Sequence, residues 1–134
     1  MIDLNFEGRV LRLPASRLLE ESTTRFANAW RGVPITVRLD QPFPVQRIAR
    51  REMDLLGDWF ALDCPDDLSD VEFARRYAIP GHGNQHFPKR VQGTLLLPRG
   101  TTLHVGVCAP LFGLPGGGVQ GEWLDGPFIP SRIA

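Results

Sequence analysis

Residues 106–123, GVCAPLFGLPGGGVQGEW, are the most informative stretch of this sequence for its fold and function. Three consecutive glycines, Gly116 to Gly118, follow a proline, and Gln120 and Glu122 lie two and four residues after Gly118. Glycine loses more conformational freedom on folding than any other residue, so such a run needs a specific structural reason. The run therefore marks either a special turn or a backbone that another group must approach closely.

A strand after the glycines would place Gln120 and Glu122 on one face, because residues two apart in a strand point to the same side. A carboxamide and a carboxylate would then point into one place. The glycines would lower the wall beside them and free backbone N–H groups for a ligand. A tight glycine turn followed by two exposed polar side chains explains the same pattern, and both interpretations stay open on spacing alone.

The composition is that of one globular domain. The chain has 134 residues, 43% of them hydrophobic, which suits a single domain with one core. Fifteen basic and fifteen acidic residues cancel, so stable nucleic-acid binding is not expected.

Cys64 and Cys108 lack a Cys-x-x-Cys pattern and predict two thiols outside any disulfide. We expect no membrane association, because no apolar run approaches the roughly 20 residues of a membrane span and the N-terminus has no signal-peptide pattern.

The order of hydrophobic patterns predicts an α+β fold, with one or two helices early in the chain and mostly strands afterwards. The predicted strands cover residues 8–14, 35–39 and 57–63. The predicted helices cover residues 17–30 with Ser16 as N-cap and Gly32 as stop, residues 46–56, and a segment after Pro65 that contains Val71, Phe73, Ala74, Tyr77 and Ala78.

Residues 91–108 predict a β-hairpin, because two apolar arms flank a Pro-Arg-Gly turn. In the second arm, alternation places three apolar side chains on one face and three more polar residues on the other. The apolar face would consist of Leu103, Val105 and Val107, and the other of Thr102, His104 and Gly106.

An arginine and an aromatic pair are further candidates for a binding site. Arg12 lies in an early strand, where its planar guanidinium could hold a phosphate. Arg9, three residues earlier, lies on the opposite strand face, so only one of the two can face a cleft. Trp59 and Phe60 are adjacent, so we expect one to face the core and the other to be able to stack on a nicotinamide or an adenine.

The histidines do not predict a metal site. His82 and His86 are four residues apart, a spacing that converges on a helix, but the glycines around His82 disfavour one. No cysteine or paired carboxylate completes a ligand set. His104 either lines a cleft or is half-buried. Serine-hydrolase chemistry is not supported, because the sequence has no nucleophile elbow.

The closing stretch resembles a known family of toxins. The order GRVLR, GDWFALD, FARRYA and then the glycine run is similar to the ADP-ribosyltransferase-like domains at the C-termini of bacterial polymorphic (Rhs-type) toxins. The block itself resembles the end of the tuberculosis necrotizing toxin family of NAD glycohydrolases, which reads G-x-x-A-P-x-F-G-x-P-G-G-G-x-Q. The matching positions are Gly106, Ala109, Pro110, Phe112, Gly113, Pro115, Gly116, Gly117, Gly118 and Gln120.

The resemblance implies a fold and a set of site residues. The fold would be an ADP-ribosyltransferase-like split β-sheet core over residues 1–134, with one or two N-terminal helices and a strand-rich C-terminal half. Gln120 and Glu122 would be catalytic. The NAD⁺-binding residues would be Arg12 for the phosphates, Phe60 with Trp59 for the nicotinamide, and Gly116, Gly117 and Gly118.

The resemblance also implies a function. NAD⁺ would be the substrate, cleaved at its nicotinamide–ribose bond, with water as acceptor in an NAD glycohydrolase or a macromolecule as acceptor in a mono-ADP-ribosyltransferase. Such a toxin, used in interbacterial competition, would act in the cytoplasm of a target cell and would have a cognate immunity protein. Two alternatives stay open: a nuclease-type toxin domain that uses the histidines, and a non-catalytic module that binds NAD or a protein.

Overall fold

Strands dominate the structure, a computed structural model that describes residues 1–18, 27–47, 59–64, 67–79, 94–111 and 113–127. Within these ranges a 3₁₀ turn covers Ala27–Ala29 and an α-helix, α1, covers Asp70–Arg76. The mixture of a β-sheet with a helix agrees with the predicted α+β class. The described strands are β1 Ile2–Phe6, β2 Arg9–Leu13, β3 Ala15–Arg17, β4 Trp30–Leu39, β5 Phe43–Arg47, β6 Trp59–Ala61, β7 Thr94–Leu97, β8 Thr102–Cys108 and β9 Val119–Asp125.

The described strands form two antiparallel sheets. β1 and β2 form a two-stranded sheet. The other strands form a seven-stranded sheet in the order β3-β4-β8-β9-β6-β5-β7, and each neighbouring pair is antiparallel. β8 lies between β4 and β9, so both of its hydrogen-bonding edges are occupied.

One face of the larger sheet forms the apolar core. Leu103, Val105 and Val107 of β8 all belong to it, as their alternation predicted. Phe60 of β6 and Val119 of β9 lie in the same cluster. The β1–β2 sheet packs against this face and contributes Leu4, Phe6 and Leu13. The other face is therefore the one that carries the polar residues of β8 and β9.

Helix α1 begins where the sequence supplies a capping box. Ser69 is the N-cap, and its side chain accepts a hydrogen bond from the Glu72 N–H at 3.1 Å. Asp70 in the first turn also favours this end of the helix dipole. Phe73 and Tyr77 are buried with Ala61 of β6, which fixes the helix beside the larger sheet.

Several predicted elements are confirmed. Residues 9–13, 35–39 and 59–61 are strands, and a helix follows Pro65. The helix begins later than we predicted, at Asp70, because Ser69 and Glu72 provide the capping box. Neither cysteine forms a disulfide, as predicted.

The predicted hairpin over 91–108 is wrong. β7 pairs with β5 and lies at the far edge of the described sheet, while β8 pairs with β4 and β9. Two apolar arms around a turn are the local signal of a hairpin, but the turn does not fix pairing when other strands occupy both edges of β8.

The predicted helix over 17–30 is wrong at both described ends. Ser16 lies in β3 and its hydroxyl contacts the Asp40 carboxylate, so it is not an N-cap. Trp30 begins β4, and Gly32, at φ +86°, lies inside that strand beside a register irregularity. The predicted helix over 46–56 is wrong at its start, because Gln46 and Arg47 lie in strand β5. Residues 19–26 and 48–56 lie outside the described residues.

Candidate functional site

A row of four residues crosses the larger sheet on the face opposite the apolar core. Thr36 of β4 pairs with His104 of β8, His104 pairs with Glu122 of β9, and Glu122 pairs with Trp59 of β6. Directly paired residues share a sheet face, so these side chains are neighbours. His104 is 0% exposed and Glu122 1% exposed. The sheet therefore holds a carboxylate and an imidazole together out of solvent.

Gln120 lies on the same face as Glu122, as the predicted strand required. It pairs with Gly106 of β8 and Ala61 of β6. Its side chain is 4% exposed, and its Nε2 donates to the Ala29 carbonyl at 2.9 Å. Gln120 thus fixes the backbone immediately before Trp30, and its orientation is set by the fold.

A polar contact within the row joins the imidazole and the carboxylate. His104 Nδ1 lies 3.4 Å from Glu122 Oε1. His104 Nε2 is buried and has no hydrogen-bond partner within the described part of the chain. Buried polar atoms are nearly always paired in folded proteins, so an unpaired ring nitrogen here calls for an explanation.

Trp59, at one end of the row, packs against a second tryptophan, Trp30. The Trp30 and Trp59 ring centroids are 5.6 Å apart at an angle of 41°. Trp30 also meets the His104 ring edge-on at 6.2 Å. Gly106 provides the space for this arrangement, because a Cβ there would lie 2.9 Å from the Trp30 ring. The result is an aromatic wall next to Glu122 and Gln120.

Sequence reasoning missed Trp30, because the pattern favoured a helix that ended there. The signal that could have placed Trp30 in a strand is the run VPITV at 33–37, because its β-branched residues favour a strand that continues from Trp30. Sequence reasoning also left open whether His104 lines a cleft, since its partner is 18 residues away in the sequence.

The aromatic pair divides between the two sheet faces. Phe60 is fully buried in the apolar core, on the face away from Glu122. Trp59 lies in the polar row. This is the division expected for adjacent strand residues, and it brings Trp59, rather than Phe60, to the candidate site.

The structure does not bring Arg12 to the other candidate residues. Arg12 is exposed on β2 and its guanidinium donates to the Asp3 carboxylate, with Nε 2.8 Å from Oδ1. This hydrogen bond lowers the pKa of Asp3 from its ordinary value. Arg9, the alternative, is the arginine that approaches the glycine run, because its Nη2 donates to the Gly117 carbonyl.

The glycine run binds the end of helix α1. The N–H groups of Gly116 and Gly118 donate to the Arg75 and Arg76 carbonyls at 2.9 and 3.0 Å, and the Gly117 N–H donates to the Cys108 carbonyl at 2.9 Å. A helix leaves its last carbonyls without partners inside the helix, so the glycines satisfy them. Our expectation that these N–H groups are free for a ligand is therefore wrong.

An Asp63-centred network holds the glycine run, β2 and α1 together. Asp63 accepts from Arg9 Nη1 at 2.7 Å and from Arg76 Nη2 at 2.6 Å. It also accepts from the Tyr77 hydroxyl and the Val119 N–H, each at 2.8 Å. Burial, and then the Asp63 carboxylate, raise the pKa of Tyr77 above its ordinary value, so Tyr77 stays a neutral donor.

Two arginines, Arg9 and Arg31, approach Gly117. Arg31 pairs with Glu7 through three hydrogen bonds, and its Nη2 would lie 3.6 Å from a Cβ placed on Gly117. The Arg9 and Arg31 side chains remain 36% and 44% exposed. Two partly exposed guanidinium groups thus lie near one glycine, and each is paired with a carboxylate, Arg9 with Asp63 and Arg31 with Glu7.

Other features bear on the expected partners. Among the described residues, no group of three or more histidine, cysteine or acidic side chains could hold a metal ion. His82 and His86 lie outside the described ranges. No described helix is long and apolar enough to cross a membrane.

In comparisons with known proteins, no family model, no curated protein and no solved structure matches the chain.

Proposed function

We propose that this chain is a toxin-type enzyme that cleaves the nicotinamide–ribose bond of NAD⁺, on an ADP-ribosyltransferase-like split sheet. The observation that supports this most is the shared face of Gln120 and Glu122 on β9, beside Trp59 and Trp30. A Gln-x-Glu pair against an aromatic wall offers hydrogen bonds, a negative charge and a flat apolar surface within one site. These are the groups that a bound nicotinamide riboside requires.

The proposed chemistry uses few groups. Nicotinamide leaves as a neutral molecule, so no general acid is needed. Glu122 supplies negative charge beside the oxocarbenium-like ribose, where a buried carboxylate has a large effect because water does not screen it. The Gln120 carboxamide is a hydrogen-bonding group that cannot act as a base, and its role is to hold the ribose hydroxyls in position.

The two arginines near Gly117 support a position for the NAD⁺ phosphates. Arg9 and Arg31 both present partly exposed guanidinium groups there, and a guanidinium binds phosphate oxygens through paired N–H donors. Geometry thus favours Arg9 over Arg12 for this role. The carbonyl side of the glycine run is occupied by Arg9, so the phosphates would contact side chains more than backbone N–H groups.

The acceptor defines the reaction. With water the enzyme is an NAD glycohydrolase, and with a protein or nucleic-acid group it is a mono-ADP-ribosyltransferase. As a delivered toxin domain it would act in the cytoplasm of a target cell, and the producing cell would carry a cognate immunity protein.

The test is to incubate the purified chain with NAD⁺ and no other acceptor, and to follow nicotinamide and ADP-ribose by chromatography. Release of both, lost in Gln120→Ala but retained in the exposed-glutamine control Gln41→Ala, supports a glycohydrolase. If neither product appears, labelled NAD⁺ is added with a cell lysate to detect a transferase. Equal turnover by Gln120→Ala and wild type, with both folded by circular dichroism, contradicts the site.

A non-catalytic binding module is the second candidate, favoured by the burial of the site. Gln120 and Glu122 are at most 4% exposed, and the Gln120 carboxamide already donates to Ala29. A fold that retained these residues for packing would bind NAD⁺ or a protein without turnover. Stabilisation of the chain by NAD⁺ in a thermal melt, without nicotinamide release in either assay, would identify this case.

A further inference from the structure

The His104 imidazole has one nitrogen directed to a carboxylate and one without a partner. Nδ1 lies 3.4 Å from Glu122 Oε1, and both side chains are at most 1% exposed. Nε2 is buried and unpaired within the described residues. A carboxylate oxygen accepts hydrogen bonds, and a proton on His104 Nδ1 would be placed to donate to Glu122 Oε1.

This contact selects a tautomer. A neutral imidazole carries its proton on one nitrogen, so a ring that donates from Nδ1 has a lone pair at Nε2. The unpaired Nε2 is then an acceptor that awaits a donor, such as a hydroxyl group. The ring is also fixed in place, because Trp30 packs edge-on against it and Thr36 is its cross-strand neighbour.

We propose that His104 is the general base of this site and that Glu122 positions it. The order carboxylate, imidazole, hydroxyl is the arrangement by which proteins activate a nucleophilic oxygen, and it is recognised by geometry rather than by position in the sequence. The assignment rests on the proposed function, since NAD⁺ provides the electrophilic carbon. It adds a base that neither Gln120 nor the glycine run can supply.

The step balances with water as the nucleophile. The water oxygen forms a bond to the ribose anomeric carbon while the carbon–nitrogen bond to nicotinamide breaks, and that electron pair leaves with nicotinamide. The water proton passes to His104 Nε2, which gives an imidazolium beside the Glu122 carboxylate. The proton then returns to solvent, and the products are nicotinamide, ADP-ribose and a proton.

Two substitutions at His104 test the roles of its two ring nitrogens. The amide of His104→Asn can replace Nδ1–H as a donor to Glu122, but it has no group at the Nε2 position. The amide of His104→Gln reaches the Nε2 position, but it lacks the Nδ1 donor and cannot take a proton. If His104 is a base, both variants lose kcat for nicotinamide release by about 10²–10⁴-fold. His104→Asn keeps its affinity for NAD⁺, measured by calorimetry, within about threefold.

Gln41→Ala, at an exposed position, serves as the control, and we expect it to keep wild-type kcat. A His104→Asn variant that is folded and retains kcat overturns the base assignment while leaving the proposed function in place. A wild-type chain that releases no nicotinamide in either assay overturns both proposals, so the two failures are distinguishable.

A spectroscopic measurement tests the tautomer without relying on activity or on a folded variant. In the ¹⁵N NMR spectrum of the wild-type chain at neutral pH, we expect His104 Nδ1 to carry the proton and Nε2 to be unprotonated. A proton on Nε2 of the neutral ring would overturn the assignment, because that nitrogen would then have no lone pair to accept the proton of water.

Discussion

At the scale of single residues, Gly116 shows why the glycine run is glycine. Its φ is +67°, and a Cβ there would lie 2.5 Å from the Cys108 carbonyl oxygen. Gly113 has a similar φ of +74°, but a Cβ there would have no neighbour within 4 Å. Both positions require a left-handed backbone, and only Gly116 also requires the absence of a side chain.

Gly116→Ala and Gly113→Ala therefore form a matched pair. Gly113→Ala should lower the free energy of unfolding by about 1 kcal/mol, the cost of a left-handed alanine. Gly116→Ala should lower the free energy of unfolding by about 1–3 kcal/mol more, because the methyl group overlaps backbone atoms. Urea titration of both variants measures the difference. Equal destabilisation would show that the close approach at Gly116 is absent.

The two cysteines should react at different rates. Burial raises the pKa of the Cys108 thiol to about 11, while Cys64 is only half-buried. At pH 8 roughly one Cys108 in a thousand is then a thiolate, the form that reacts with alkylating agents. Mass spectrometry after a short exposure to iodoacetamide should find Cys64 modified first. Faster modification of Cys108 would contradict its burial in β8.

Sequence reasoning at this scale succeeded where the information was local. The spacing of Gln120 and Glu122 predicted their shared face, and the alternation in β8 predicted the orientation of His104. The choice between Arg9 and Arg12 could not be predicted, because it depends on Asp63, which is 54 residues from Arg9. No local pattern contains that pairing.

At the scale of elements, Asp63 joins β2, α1 and β9. It accepts hydrogen bonds from Arg9, Arg76, Tyr77 and the Val119 N–H, and its side chain is 16% exposed. Removing one member of such a network leaves the remaining charges without partners. The resulting destabilisation is larger than the net stabilisation that the whole network provides.

We expect Asp63→Asn to lower the free energy of unfolding by about 2–4 kcal/mol, because Arg9 and Arg76 lose their counter-charge in a partly buried site. Asp3→Asn is the control, since it removes an arginine partner of the same kind at an exposed position. Urea titration should show no measurable change for Asp3→Asn. Similar losses in the two variants would mean that the Asp63 network does not hold these elements together.

The sequence predicted most strands of the described part of the chain but not their pairing. The apolar alternation in β8 is local and led to a correct prediction. The capping box of α1 is also local, but the prediction began the helix too early because it did not use this signal. The order β3-β4-β8-β9-β6-β5-β7 is set by which edges remain available after the long strands pair, and a turn signal between β7 and β8 does not determine that order.

At the scale of the whole molecule, the polar face of the larger sheet is the feature from which the proposed function follows. The fold uses four strands to hold Thr36, His104, Glu122 and Trp59 in one row, and Gln120 lies two residues before Glu122 on the same face of β9. Burying the Glu122 carboxylate costs free energy that packing alone does not recover. Stabilisation of a developing positive charge in the proposed site would give this burial a function.

The most direct test compares nicotinamide release from NAD⁺ by the wild-type chain and by Glu122→Gln. Asp125→Asn is the control, because it removes an exposed carboxylate from the same strand. We expect rapid release by wild type and Asp125→Asn, and a loss of about 10²-fold or more in Glu122→Gln, since its side chain keeps the shape and loses the charge. Equal release by folded Glu122→Gln and wild type would contradict the proposed site.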